Sequence, residues 1–213
     1  LRGEINSAAY VTMLMETYTA IKVANPDVMV ITAAPAPTSA QASFPDQIVN
    51  DDVYYQGMAN AGAAEYADCI GVSHVEGVVP PNITSGDPRD DMATSYLPTM
   101  LERAYEPFRD SGLPLCLTTF GYASTEGVSD FVPQGFGWAA DTTSTQQAAW
   151  TAEAITFLAE QPDYPVEMAL IWRINPYPVP VNEVEPFDIA AYFSIIRPDG
   201  SCAACDALAA LRQ

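Results

Sequence analysis

Short apolar runs alternate with helix-forming segments along the whole chain, and this alternation restricts the fold more than any other feature of the sequence. The apolar runs are bounded by Pro, Gly, Asn or Asp, as buried strands commonly are. Strands are predicted at residues 28–33, 69–72, 113–119 and 166–174. A first helix is predicted to begin after a cap at Asn6 or Ser7 and to end at 25–27. Further helices are predicted at about residues 51–64, 94–110 and 144–160 and at 202–211, and an extended segment at 188–197. Strands separated by helices form parallel sheets with right-handed crossovers, so we expect an α/β fold.

Four parallel strands make half of an eight-stranded (β/α)8 barrel of the TIM type. An open four-stranded sheet would leave two bare edges and an uncovered inner face. We therefore expect one domain, residues 1–213, that covers about strands five to eight of a barrel. Its first half would come from an N-terminal half of the barrel or from another protein chain. Inner-face residues such as Val30, Ile70, Leu117 and Ile171 are then expected to lack partners within this chain.

Polar and aromatic residues follow the apolar runs, at the strand ends where barrel enzymes hold their active sites. The run at 69–72 is followed by Ser73, His74 and Glu76. The run at 113–119 ends in Thr119 and is followed by Tyr122, and the run at 166–174 ends near Trp172 and Asn175. Long loops at 77–91 and 121–142 follow two of these strands, and the second loop carries Phe136 and Trp138. Loops of this length are commonly functional.

Several segments together resemble the retaining, two-glutamate (β/α)8-barrel glycoside hydrolases of the cellulase and xylosidase kind. The run Thr-Thr-Phe-Gly-Tyr at 118–122 is similar to the strand-seven segment that carries the nucleophile. The end of 70–77 resembles a strand-six end with its histidine, and 170–175 resembles the strand-eight end with a substrate-facing tryptophan. Residues 6–11 and 20–27 resemble the helix after strand four.

The resemblance implies a glycosidase site in which the nucleophile glutamate is replaced by Thr119. Retaining glycosidases use two carboxyl groups about 5 Å apart. Leu1 and Arg2 resemble the residues just after the acid/base motif, which would place the acid/base upstream of residue 1. Three explanations are open: Glu76 has taken over a carboxylate role, only the sugar-binding cleft has been kept, or an engineered or sequencing change removed the glutamate.

The resemblance also implies substrate-binding roles for five residues. For three of them, His74, Trp138 and Trp172, a purely structural role is the alternative. The five are His74, Tyr122, Trp138, Trp172 and Asn175. His74 either bonds a sugar hydroxyl or orients a carboxylate, or is a satisfied structural histidine. Trp172 is either a stacking platform or a core residue, and Trp138 either flanks the cleft or anchors its loop. Glu126 and Asp130, as lone loop acids, are expected to be solvated.

The cysteines predict one disulfide and no metal site. Cys69 and Cys116 lie in apolar strand runs and are interpreted as small core residues. For Cys202 and Cys205 a local disulfide is preferred, because zinc would need two more ligands and His74 is the only histidine in the sequence. A redox Cys-x-x-Cys would be expected after a first strand instead. No cofactor is expected.

The charge excludes some partners. The net charge is −19, from 27 acidic and 8 basic residues. Such a surface repels nucleic acids and anionic membranes, and no apolar run reaches the roughly 18 residues of a membrane span. The acidity favours an extracellular or cell-surface location, or serves solubility alone.

The leading hypothesis is a glycoside-hydrolase-like domain that binds or hydrolyses an extracellular carbohydrate, with catalysis impaired. The alternative is a non-catalytic structural or interaction subunit of a surface or multi-protein assembly that uses a degenerate barrel. A different α/β enzyme would need a nucleophile elbow or a phosphate loop, and the sequence contains neither motif.

Overall fold

The computed structural model describes residues 5–89, 92–128, 132–133, 135–175 and 189–212, with Glu76 described by its backbone alone. The described helices are α1 (Ser7–Ala24), α2 (Asp51–Asn60), α3 (Leu97–Tyr105), α4 (Ser144–Ala159) and α5 (Ala203–Ala210). The strands are β1 (Ile70–Gly77), β2 (Leu115–Tyr122) and β3 (Val166–Ile171). Short 3-10 helices occupy Ala63–Tyr66, Ala93–Ser95, Glu106–Ser111, Gly137–Ala139 and Ile189–Phe193.

The three strands form one sheet in the order β1-β2-β3. Between β2 and β3, the Leu115 amide donates to the Pro165 carbonyl at 2.7 Å, and the Trp172 amide donates to the Phe120 carbonyl at 2.7 Å. The paired residue numbers rise together in both strands, as they do in a parallel pair. The predicted parallel α/β architecture is confirmed for these strands.

The first predicted strand, at 28–33, is wrong as a strand and is reduced to one parallel bridge between Ile31 and Cys69. Side chains take the backbone groups that a longer ladder would use. The Val30 amide donates to the Asp68 carboxylate at 2.7 Å, and the Gly71 amide donates to the Thr32 hydroxyl at 2.8 Å. A Cβ at Gly71 would lie 2.2 Å from the Thr32 carbonyl oxygen, so the close approach requires glycine there.

The predicted starts of α2 and α4 are confirmed, α1 begins next to its predicted cap, α5 begins one residue later than predicted, and α3 begins three residues later. The Asn6 side chain accepts from the Ala9 amide and caps α1, and Thr143 with Gln146 forms a capping box on α4. The predicted helix at 94–110 is split into α3 and flanking 3-10 turns, and it ends at Gly112 with φ of 71°. The extended segment predicted at 188–197 is wrong for Ile189–Phe193, which is a 3-10 helix.

The chain divides into two compact units. Unit 1 comprises the described residues of Leu1–Ser73, Pro98–Thr118 and Gln161–Ala169, and unit 2 those of His74–Leu97, Thr119–Glu160 and Leu170–Gln213. The first residues of each strand thus belong to unit 1 and the last residues to unit 2.

Unit 1 contains a disulfide that corrects the interpretation of Cys69 and Cys116 as unlinked core residues. The two sulfurs are bonded, and both residues are fully buried. Each half of the pair lies in an apolar run, so burial was expected, but the pairing depends on strand register. Unit 1 also holds a buried ion pair, in which Arg103 donates to both carboxylate oxygens of the fully buried Asp51, at 2.9 and 2.6 Å.

The expectation that inner-face residues lack partners is wrong for most of its examples. Ile70 and Leu117 are fully buried, and Val30 is 7% exposed. Ile171 is half-buried and contacts the cluster of Ala148, Ile195 and Ala204.

Candidate functional site

All seven predicted catalytic and binding residues belong to unit 2. Six of them lie at or just after the ends of the three strands, and the seventh, Trp138, lies in the loop after β2. These positions are His74 and Glu76 in β1, Thr119 and Tyr122 in β2, and Trp172 and Asn175 after β3. Carboxyl ends of adjacent parallel strands meet at one edge of a sheet. Ser73, which the sequence grouped with them, belongs to unit 1.

His74 is a neutral, buried histidine. Its side chain is 1% exposed, and burial, with a further contribution from the positive charge of Arg89, lowers its pKa to about 4. Among the described residues, its Nδ1 has no hydrogen-bond partner. A neutral imidazole can donate and accept at once, so His74 can orient a polar group but does not supply a positive charge near pH 7.

Tyr122 lies in an aromatic cluster with His74. The two rings meet edge to face with centroids 6.1 Å apart, and Phe120 and Trp150 lie against Tyr122 at 5.9 and 5.7 Å. Tyr122 is 1% exposed, its hydroxyl has no partner among the described residues, and burial, with Glu153, raises its pKa. Gly77 makes room for both rings, because a Cβ there would lie 2.7 Å from Tyr122 and 2.9 Å from His74.

Thr119 is half-buried in β2, and its hydroxyl makes no hydrogen bond with any described residue. The position therefore offers a neutral hydroxyl. Glu76 lies in β1, but its side chain is outside the described part of the structure, as are Leu1, Arg2 and Asp130.

Trp172 is the most exposed aromatic residue among the predicted site residues, with 37% of its surface accessible. Its amide bonds to the Phe120 carbonyl, and its ring lies 5.1 Å from that of Phe193. A Cβ at Gly121 would lie 2.5 Å from the Trp172 carbonyl oxygen, so glycine lets the two backbones approach. The peptide bond between Trp172 and Arg173 is cis. Asn175 follows as an exposed residue.

Trp138 is half-buried and anchors its loop through aromatic and cationic contacts. Its ring centroid lies 5.8 Å from that of Phe136 and 6.4 Å from that of Phe193. The Arg89 guanidinium stacks over it at 4.7 Å and donates two hydrogen bonds to Asp87. Burial alone would raise the pKa of Asp87, but the bonds from Arg89 outweigh it and lower that pKa.

A shallow cavity of about 330 Å³ lies beside this cluster. Two tryptophans and three polar side chains contribute to its lining: Trp138, Trp150, Arg89, Asp141 and Gln146. Aromatic and hydrogen-bonding groups of this kind suit a polar ring-shaped ligand.

Two buried residues that the sequence analysis missed hold the end of β2. The side-chain Nε2 of Gln147 donates to the backbone carbonyls of Tyr122 and Tyr192, at 2.6 and 3.2 Å. The Arg197 guanidinium donates to the Gln147 side-chain oxygen and to the Ser124 carbonyl. Burial lowers the pKa of Arg197. The network fixes the 3-10 helix that carries Phe193, and through Phe193 it supports Trp172. The available signal was Gln147 in the first turn of α4, next to the inward-facing Ala148.

The structure also bears on the predictions for Glu126 and for the pair Cys202 and Cys205. Glu126 is not simply solvated, because its carboxylate accepts from the Ser144 amide and hydroxyl at the start of α4, at 2.6 and 2.7 Å. The predicted disulfide between Cys202 and Cys205 is present. Among the described residues, no group of three or more His, Cys, Asp or Glu side chains is placed to hold a metal ion.

Comparison with known proteins gives a likeness in fold alone. No protein-family model and no curated protein matches the sequence. A solved GH128 (subgroup VI) exo-β-1,3-glucanase from Aureobasidium namibiae aligns with a TM-score of 0.50 and 12% identity, over 93% of this chain and 58% of that one. This chain therefore has a glycoside-hydrolase-like α/β fold and spans little more than half the length of that structure.

The disulfides bear on location. Both described disulfides, one buried and one at the surface, are typical of proteins from oxidising compartments. None of the described helices is long and apolar enough to cross a membrane.

Proposed function

We propose that this chain is the second half of a (β/α)8 glycoside-hydrolase-like barrel, and that it binds an extracellular carbohydrate with its own hydrolytic activity impaired. The observation that carries the proposal is the Trp172 indole, partly exposed just after β3 and supported by Phe193. In this interpretation β1, β2 and β3 are strands six to eight, and the Ile31 bridge marks strand five. The fold likeness to an exo-β-1,3-glucanase supports a glucan as the first ligand to test.

Binding would combine stacking with hydrogen bonding. An exposed indole offers a flat apolar surface to the C–H face of a sugar ring. Asn175, an exposed amide three residues later, supplies both donors and acceptors for sugar hydroxyls. Neutral carbohydrate also suits a protein of net charge −19, which would repel anionic ligands.

Catalysis would be impaired because Thr119 cannot act as the carboxylate does. The nucleophile in retaining enzymes forms a glycosyl ester, and its negative charge stabilises the oxocarbenium-like transition state. A threonine hydroxyl is un-ionised near neutral pH and has no general base bonded to it among the described residues. Glu76 remains the candidate for a replacement carboxylate.

Binding is tested by titrating the protein with β-1,3-linked gluco-oligosaccharides in a calorimeter. We expect Trp172→Ala to weaken binding by about fivefold or more, given stacking energies of about 1 kcal/mol and above. The control is Phe44→Ala, an aromatic residue of unit 1 that is 50% exposed. Equal affinities of the two variants would remove Trp172 from the site, and no binding by any tested oligosaccharide would contradict the proposal.

Activity is tested in the full-length protein with a panel of aryl glycosides. We expect little or no hydrolysis, and a rise of orders of magnitude in Thr119→Glu if an acid/base glutamate lies upstream. Thr119→Gln is the matched control, since it has the same size without the carboxylate. Robust turnover that survives Glu76→Gln would show that catalysis is not impaired.

A second candidate function is a non-catalytic interaction subunit, and one observation favours it. Leu170, in β3, and Ile174, three residues after the strand ends, are 49% and 59% exposed. With Trp172 they are exposed apolar side chains near one another in the sequence, which another protein segment can cover. The absence of both oligosaccharide binding and rescue by Thr119→Glu would favour this candidate.

A further inference from the structure

The disulfide of Cys202 and Cys205 occupies the start of α5 in an asymmetric way. Cys202 is the N-cap residue, and the Cys205 amide donates to both its sulfur and its carbonyl oxygen, each at 3.1 Å. Cys202 is half-buried against the cluster of Ala148, Ile195 and Ala204, whereas Cys205 is exposed. The Cys202 sulfur thus accepts a hydrogen bond and belongs to a half-buried residue, whereas the Cys205 sulfur belongs to an exposed residue.

This asymmetry matches the requirements of thiol–disulfide exchange. A thiolate attacks one sulfur of a disulfide, and the other sulfur leaves with the electron pair, faster when its thiol has a lower pKa. If the attack falls on exposed Cys205, the leaving sulfur is Cys202, which already accepts an amide hydrogen at a helix N-terminus. Amide donors and the helix dipole stabilise a thiolate at that place.

We propose that Cys202 and Cys205 form a redox-active exchange site whose substrates are thiols. An incoming thiolate attacks the Cys205 sulfur, a mixed disulfide forms there, and the electron pair of the broken S–S bond goes to Cys202. A second thiol, or the second sulfur of a dithiol, then displaces Cys205. The protein becomes a dithiol that has gained two electrons and two protons, and the reductant becomes a disulfide.

The second disulfide of the chain is the internal contrast. Cys69 and Cys116 are both fully buried, so a thiol reaches them only when unit 1 opens. The two disulfides of one folded molecule therefore differ in access and in leaving group. Selective reduction of the Cys202 pair is the direct consequence.

Charge determines which thiols react fastest. Asp206 stands next to Cys205 in the first turn of α5, and the chain as a whole carries a charge of −19. Both repel an incoming anionic thiolate. A dithiol without other charges, such as dithiothreitol, is therefore preferred over the anionic tripeptide glutathione, and Asp206→Asn increases the rate with both.

The test uses the native protein with dithiothreitol at neutral pH and no denaturant, followed by acid quench, alkylation and peptide mass spectrometry. Cys202 and Cys205 should be reduced more than about tenfold faster than Cys69 and Cys116. With glutathione, the trapped mixed disulfide should be on Cys205. Circular dichroism during the reaction should show that the fold persists.

Three results would overturn the proposal. The two disulfides could open at the same rate, the Cys202 pair could stay oxidised, or glutathione could be found on Cys202. The Asp206→Asn variant adds an independent measurement, because a few-fold faster reduction supports the charge argument and an unchanged rate contradicts it.

Discussion

Gly77 shows how a single missing side chain shapes the candidate site. It ends β1 where the rings of His74 and Tyr122 meet, and a Cβ would lie under 3.0 Å from atoms of both rings. Two buried rings packed against other aromatic residues have little freedom to move aside. Glycine is therefore required at position 77 because a larger side chain would overlap the His74 and Tyr122 rings.

We expect Gly77→Ala to destabilise the protein by about 1–3 kcal/mol, as overpacking of a core does. The matched control is Gly137→Ala, since no atom lies within 4 Å of its built Cβ. Denaturant unfolding monitored by tryptophan fluorescence measures both variants. A Gly77→Ala protein as stable as the control would mean that the His74 and Tyr122 rings can shift freely.

His74 gives stability a defined dependence on pH. Its folded-state pKa of about 4 lies below the ordinary value of 6.5, so the unfolded state binds the proton more readily. The stability that this group contributes is present above pH 6.5 and is lost as pH falls from about 6.5 to 4. The full loss amounts to about 3 kcal/mol, at 1.36 kcal/mol for each pKa unit.

The variant His74→Gln should lack this part of the pH dependence, even if it is less stable at pH 7. The measurement is the free energy of unfolding of both proteins at several pH values across that window. Parallel curves for the two proteins would show that His74 does not remain neutral in the folded state.

At the scale of elements, the buried disulfide is the strongest link between β1 and β2. Cys69 and Cys116 are 47 residues apart, and closing so long a loop removes much entropy from the unfolded chain. On the chain-entropy estimate, replacing both by alanine costs about 4 kcal/mol, against about 2 kcal/mol for the pair that is three residues apart. Thermal unfolding of the two double variants makes the comparison, and a smaller loss for the Cys69 and Cys116 pair would contradict it.

The elements also show where sequence reasoning succeeds and where it fails. The helix predicted from about residue 144 begins there, and the first helix begins after Asn6, one of its two candidate caps. In the structure the side chains of Asn6 and Thr143 cap these two helices next to apolar periodic runs. The strand at 28–33 was overpredicted because apolar composition does not show that the Thr32 hydroxyl and Asp68 carboxylate take the backbone donors.

The site shows the same division. The strand-end positions follow from the apolar runs, and these place His74, Thr119, Tyr122 and Trp172 in one unit. Contacts that join distant parts of the sequence could not be predicted, because they depend on the fold. Examples are the Arg89 contact with Trp138 and the bonds from Gln147 to Tyr122.

At the scale of the whole molecule, the exposed apolar side chains of Leu170, Trp172 and Ile174 predict association. We expect the 1–213 protein to self-associate or to bind the first half of the barrel, because removing exposed apolar surface from water is favourable. Replacing Leu170 and Ile174 by serine should reduce self-association. The control is Val23→Ser, a residue of α1 that is 84% exposed. Light scattering after size exclusion measures the mass, and a monodisperse unmodified monomer would contradict the expectation.

The bond between Cys69 and Cys116 also changes what a break in the chain would do. Every residue from β1 through the following loop and α3 to the start of β2 lies within one covalent ring. A single protease cut inside that ring leaves both fragments tethered, and they separate on a gel only after reduction. A protease can therefore cleave the loop after β1, which carries Asp87 and Arg89, while β1 and β2 stay covalently joined. For the same reason, insertions in this loop leave that link between the two strands in place.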